Sequence, residues 1–240
     1  MRLLTVFIAF AAGLIAAFVQ PAGLNFQALA PSSNAAGDSD VDRDGRALEE
    51  MLGNSQAPQR WTRAPKLTVL ASVMTYQTGG GVKYVATDER VSDDDVADLI
   101  RDLTDGLGIL TAGTFEQFSS VTREIAPAGV TVSVSRPDHI VIGRFDGLRR
   151  SAKTLGYGGR RTHKDGTIAA GAILLDNEFD RSDASRRLLR THELGHALGY
   201  NHVTSRTSIM NAKIGPEPND FDRDAAVIAF RPPALVALRR

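Results

Sequence analysis

Cysteine is absent from all 240 residues. Disulfides, thiolate metal sites, iron–sulfur clusters and cysteine nucleophiles are therefore excluded, although the compartment is not identified by that absence. Net charge is absent as well: 28 Lys and Arg balance 28 Asp and Glu, which argues against a globally basic nucleic-acid binder and against an acidic solvating tail. No internal repeat is found. Histidine is scarce at five residues, yet three of them fall between positions 192 and 202. What is present suffices for a core. At 42% hydrophobic and 23% charged, the chain can fold as one ordinary domain with some length to spare, or as two small ones.

The N-terminus opens with Arg2 and an uncharged, mostly apolar run from Leu3 to Val19. This pattern reads as a signal peptide or an N-terminal membrane anchor over residues 1–22. Cleavage near Ala22 is one candidate and Ala28-Leu29-Ala30 a second. The run is at the lower edge of a membrane span, so membrane association through residues 3–19 is the alternative to a secreted or periplasmic, cell-envelope location. Residues 23–60 read as a flexible acidic linker, with one short helix expected from Arg46 to Leu52. Inside it, Asp40-Val-Asp42-Arg-Asp44-Gly45 resembles the opening of a calcium loop over 40–51. The twelfth position is Met51 rather than Glu, so a solvated acidic linker is the preferred reading.

From Trp61 to Arg240 the texture is that of a folded domain. Lys66–Met74 alternates like a strand. Ser92 caps a helix on which Val96, Leu99, Ile100, Leu103 and Leu107 recur at helical spacing. Further strands are expected within Phe115–Ile125, at Val130–Ser135, at His139–Phe145 and at Thr167–Leu175. Gly147–Gly166 reads as a Gly- and Arg-rich loop, a solvated border rather than a nucleic-acid surface because it carries only one aromatic, Tyr157. Helices follow at Asp183–Leu198 and Phe221–Phe230. This order implies an α+β fold, a mixed α/β sheet with helices packed on it.

The segment His192-Glu-Leu-Gly-His196-Ala-Leu-Gly199-Tyr-Asn-His202 carries the chemistry. Four residues apart on a helix, His192 and His196 present both imidazoles on one face. Gly199 lets the chain leave the helix through a left-handed turn, which returns His202 as a third ligand. Three protein ligands leave a coordination position for water, the arrangement of a catalytic zinc. Glu193 stands beside the metal without binding it and is the candidate catalytic base.

HExxHxxGxxH followed by Ser208-Ile209-Met210-Asn211 resembles the metzincin signature, with the spacing of the matrixins, the family of the matrix metalloproteinases and their bacterial relatives. The resemblance implies a metzincin-like zincin fold: a mostly parallel twisted sheet with an antiparallel edge strand, an active-site helix and a C-terminal helix. It implies that Met210 forms an apolar floor beneath the imidazoles and that Asp224 is the buried acid of the last helix. It also gives Thr167–Leu175 the role of a substrate-pairing edge strand, with Gly171, Ala172 and Ile173 as substrate-binding residues.

This sequence departs from the vertebrate members of that family in two ways. Without cysteine, latency by a thiolate on the zinc is impossible. With only His163 in the relevant stretch, a second, structural zinc cannot be assembled; His163 reads as a surface residue and His139 as a local hydrogen-bonding partner. Calcium at Asp176, Glu178, Asp180 and Asp183 competes with a helix-capping role for the same side chains. The expectation is an exported, monomeric zinc endopeptidase acting on polypeptides, with one catalytic Zn2+ and no nucleic-acid partner. The alternatives are a membrane-tethered zinc-containing binding module and a zinc hydrolase of a non-peptide amide or ester.

Overall fold

A computed structural model describes residues 40–77 and 83–230. The apolar run 3–19, both cleavage candidates and the first part of the linker lie outside the described residues. Among the described residues no helix is long and apolar enough to cross a membrane.

The first described element corrects the linker expectation. Helix α1 spans Asp40–Leu52, six residues longer at its start than the expected helix, and it is packed. Ala47, Met51 and Leu52 recur on one face and are buried in the main core with Trp61. Gly53 ends the helix at φ +70°, its amide returning to the Glu49 carbonyl, a conformation that side-chain-bearing residues adopt at a cost. The calcium reading of 40–51 falls with the linker, because a helix turns residues two apart by about 200° and cannot converge alternate carboxylates on one ion. Asp44 instead forms an ion pair with Arg206.

A seven-stranded sheet follows. Its strands are β1 (Lys66–Gln77), β2 (Lys83–Arg90), β3 (Ser120–Glu124), β4 (Thr131–Val132), β5 (His139–Phe145), β6 (Gly156–Thr162) and β7 (Ile168–Asp176). The order is β4-β2-β1-β5-β7-β6, with β3 also on β1. β1 shares one edge between two partners: Lys66–Leu70 pairs with β3 in parallel and Ser72–Gln77 with β2 antiparallel, a register shift between Ser72 and Met74 marking the handover. β5 and β7 continue the parallel centre, and β6 closes the sheet antiparallel to β7. The fold is α+β, a mixed sheet with an antiparallel edge strand, as the sequence implies. The strand expected at Val130–Ser135 shrinks to two residues.

Helix α2 (Asp93–Leu110) begins at Ser92, whose hydroxyl accepts from the Asp95 amide, and buries Val96, Leu99, Leu103 and Leu107. The Gly- and Arg-rich stretch expected to be a loop contains α3 (Leu148–Ala152) and the whole of β6. The helix expected at Asp183–Leu198 begins at Arg186 as α5 (Arg186–Leu198), after a separate short helix α4 (Asn177–Ser182); α6 (Asp220–Phe230) ends the described chain.

The position of β6 overturns the substrate-strand assignment. β7 is interior: Gly171 pairs with Ile140 on one side and Arg160 on the other, Ala172 with Val141 and Gly159, Ile173 with Ile142 and Gly158. Main-chain groups engaged on both flanks cannot receive a peptide, so Gly171, Ala172 and Ile173 are not a substrate edge. Gly171 has a packing role. A Cβ there would stand 3.0 Å from the Ile140 side chain and 3.2 Å from that of Ala197, so the glycine lets α5 settle on the sheet. Among the described residues, β6 is the free edge on this side.

Candidate metal centre

Helix α5 lies across β6 and β7 and carries the first two histidines. A buried ion network holds it. Arg190 donates to Asp180 and Asp102 at 2.7 Å each, and Asp180 also accepts from Arg144 at 2.8 Å, which ties α5 to α4, α2 and β5. The helix stops at Gly199, whose φ is +125° and where a Cβ would stand 2.3 Å from the Gln59 carbonyl oxygen. Both facts demand glycine. The Tyr200 hydroxyl then anchors the exit to the Leu110 carbonyl at 2.6 Å, and His202 comes back over the helix.

The three imidazoles meet. Nε2 of His202 is 3.1 Å from Nε2 of His196 and 3.3 Å from Nε2 of His192. Nδ1 of His192 donates to the Ile209 carbonyl at 2.7 Å and Nδ1 of His196 to the Tyr200 carbonyl at 2.8 Å. A carbonyl accepts only, so the proton sits on Nδ1 and the Nε2 lone pair is left facing inward. Burial lowers the pKa of His192 and His202, and that of His196 to about 3, helped there by His192. All three are therefore neutral, the form that binds metal. Two nitrogens about 2.0–2.1 Å from one tetrahedral zinc stand roughly 3.3 Å apart, so the donor set fits that ion. Among the described residues this is the one cluster of three or more metal-binding side chains. His192 is buried, His196 half-buried and His202 exposed, so the group opens to solvent on one side.

Glu193 is sealed between α5 and β6. A Cβ on Gly156 would stand 2.6 Å from its Oε1, and the Gly158 amide donates to its carboxylate. Burial pushes this carboxyl up to about 8, the Gly158 hydrogen bond pulling the other way. Met210 is fully buried, and a Cβ on Gly195 would stand 2.4 Å from its sulfur. It therefore lies beneath the turn of α5 between His192 and His196.

The matrixin family model matches residues 13–226, well over half of the sequence. The chain belongs to the matrixin family. The family is one of zinc metallopeptidases, and the histidine cluster agrees with that membership. No curated protein sequence matches. Among solved structures there is a similarity to metalloproteinase-II from Bacteroides fragilis, at 17% identity and a TM-score of 0.37. It covers 78% of this matrixin, which spans 60% of that protein's length.

The remaining assignments divide. Asp224 is exposed; the buried acid of α6 in this matrixin is Asp222. Two residues along a helix is more than half a turn, so only one of the pair can face the core. Asp222 accepts from the Ser208 hydroxyl at 2.5 Å, the Ile209 amide at 3.2 Å and the Asn219 amide at 2.9 Å, fixing the turn that holds Met210 and the carbonyl bonded to His192. The calcium candidates at 176–183 have other partners. Asp176 caps α4 through the Phe179 amide and accepts from the Arg149 amide, while Asp183 accepts from the Ser185 amide. Asp180 belongs to the buried arginine network, and Glu178 is exposed. His163 is exposed, and His139 bonds Thr68 at 2.8 Å.

Arg160 belongs to the stretch expected to be a solvated loop, and the fold turns it inward. From β6 it donates to the carbonyls of His196 and Tyr200 at 3.3 Å each, to Asn201 Oδ1 at 3.0 Å and to Gln59 Oε1 at 2.6 Å. A cation here also complements the C-terminal end of the α5 dipole. Its trace in the sequence is a period of two: Gly156, Gly158 and Arg160 alternate onto the face toward α5.

Proposed function

We propose that this matrixin is an exported zinc endopeptidase that binds an extended polypeptide along the free edge of β6. The observation that carries the reading is the placement of Glu193. It directly follows the first histidine in α5, and its buried carboxyl is enclosed by the side-chain-less positions 156 and 158 of β6, whereas a docking module has no use for a buried carboxyl. Arg2 and the apolar run to Val19 support export.

The Nε2 atoms of His192, His196 and His202 would hold the ion. A bound zinc ion supplies Lewis acidity to water and to the carbonyl under attack. The residues of the chain do the rest. The β6 backbone offers main-chain donors and acceptors to the substrate, a mode of recognition that depends little on side chains. Glu193 takes the proton of the attacking water on its carboxylate and delivers it to the departing amide nitrogen. A carboxyl whose pKa is raised toward the working pH suits both transfers. The Gly158 amide keeps the carboxylate oriented between them.

Cleavage of a mixed-peptide library by the full chain, with zinc and with a chelator, tests the proposal. Internal cuts that disappear with chelation and return with zinc are expected. A zinc-loaded protein that leaves every peptide intact would refute it.

A further inference from the structure

We propose that α1 is part of the metal-binding machinery, with Glu50 as a positioning residue for His202. The inference rests on the reading above, that His202 is the third ligand of a metallopeptidase.

The three ligands are not held alike. His192 and His196 sit on a rigid helix, and each ring is fixed by a carbonyl at Nδ1. His202 is exposed, lies on a segment without helix or strand, and has no hydrogen bond at Nδ1 among the described residues. A metal-binding imidazole needs outside help to hold its orientation. From the protein, that help reaches His202 through the backbone on either side, where three amides are engaged. The Val203 amide donates to the Met210 carbonyl at 2.9 Å. The other two are held by α1. Asn201 donates from its amide to the Met51 carbonyl at 2.8 Å, and Thr204 from its amide to Glu50 Oε2 at 2.6 Å. The same oxygen accepts from the Ser205 amide and the Thr204 hydroxyl at 3.2 Å each. Asp44, further back on α1, forms an ion pair with Arg206.

The helix is a firm support for this clamp. Ala47 and Met51 are fully buried and Leu52 nearly so, so the end of α1 that grips the ligand segment is fastened to the core beneath it. Residues from Asp40 onward are thus part of the catalytic unit, and any processing that leaves an active enzyme must cut before them.

Two substitutions in the full chain separate reach from charge. Glu50→Gln keeps an acceptor oxygen at the right distance and loses the charge. Glu50→Asp keeps the charge and withdraws the oxygen by one methylene. Zinc affinity is measured by competition with a chromophoric chelator, the cobalt(II) absorption spectrum reports ligand geometry, and the thermal midpoint of each metal-free protein reports the fold. Glu50→Asp is expected to bind zinc about 10–100-fold more weakly with an altered cobalt spectrum, and Glu50→Gln to stay near wild type in both. Wild-type affinity and spectrum for Glu50→Asp would overturn the inference. So would equal impairment of both variants, or a loss confined to the thermal midpoint, which a merely structural contact would give. If the wild-type chain itself takes up no zinc, the proposed function fails first.

Discussion

The backbone of Gly158 lies directly against the peptide unit of Glu193: a Cβ at position 158 would stand 2.2 Å from the Glu193 carbonyl oxygen and 2.7 Å from the His196 Cβ. The neighbour is helix backbone, which cannot swing away as a side chain would. Gly158→Ala must therefore push β6 off α5. A loss of about 2–3 kcal/mol in stability is expected from the overpacking, with a fall of about 100-fold in turnover from the displaced carboxylate. Urea unfolding and peptide hydrolysis measure the two effects.

Glu193→Gln should retain zinc and the fold, because the carboxylate is not among the three converging nitrogens. Turnover should drop by about 1000-fold or more with the loss of the proton carrier. His196→Ala should lose turnover and metal together. Zinc content by atomic absorption beside peptide hydrolysis tells the two variants apart; a Glu193→Gln variant cleaving at the wild-type rate would contradict the mechanism.

Arg160 adds a second donor to the His196 and Tyr200 carbonyls at the end of α5, beside the Gly199 amide and the His196 ring. Arg160→Leu is expected to cost about 1–2 kcal/mol for the hydrogen bonds lost, and to weaken zinc about tenfold through the Tyr200 carbonyl that also orients His196. Arg160→Lys should recover little, since one ammonium cannot reproduce the planar fork. Chelator competition and thermal melting measure both quantities.

Acid and alkali should both destabilise the metal-free protein. Histidines held neutral by burial contribute stability that is present above their unfolded value near 6.5 and lost as pH falls toward the folded value, about 3 for His196. A carboxyl held protonated by burial contributes stability that is present below 4.5 and lost as pH rises through about 8, as for Glu193. Between 4.5 and 6.5 one histidine cancels the glutamate, but four histidines are lowered, His139 among them. The maximum is therefore expected near pH 6.5, the unfolded histidine value. Urea midpoints across pH should trace it, and Glu193→Gln should flatten the alkaline side.

A chain beginning at Trp61, the boundary suggested by composition, should be poorly stable. It lacks Met51 and Leu52, whose burial is worth about 3–6 kcal/mol together, and the clamp on His202 as well. A chain beginning at Asp40 should match the full-length protein in urea midpoint and in zinc affinity.

The elements legible in the sequence were those with a strong local period. Helix α2 shows its cap and its apolar stripe, β5 coincides with the expected His139–Phe145, and β7 lies within one residue of Thr167–Leu175. β6 was not legible, because Gly-Tyr-Gly-Gly-Arg-Arg-Thr has little of the β-branched character that marks strands. Its glycines are there for the helix lying on them. Helix α1 was partly hidden for a similar reason: its first half, Asp-Val-Asp-Arg-Asp-Gly, has no apolar stripe, and only the contacts of Ala47, Met51 and Leu52 with the distant core make it a packed element. Asp222 and Asp224 are both acids on one short helix, and residue order does not say which faces inward.

The ligand set follows from residue order alone. His192, Glu193 and His196 are related by the turn of a single helix and His202 by one glycine exit, so their convergence depends on short-range geometry that a residue pattern encodes. Long-range packing settles the rest: which strand is left with a free edge, that β6 seals Glu193, and that α1 and Arg160 brace the segment carrying His202. These relationships join residues more than 150 positions apart, as between Glu50 and Ser205, and arise from how strands and helices share surfaces. No local pattern along the chain records which surface is shared with which.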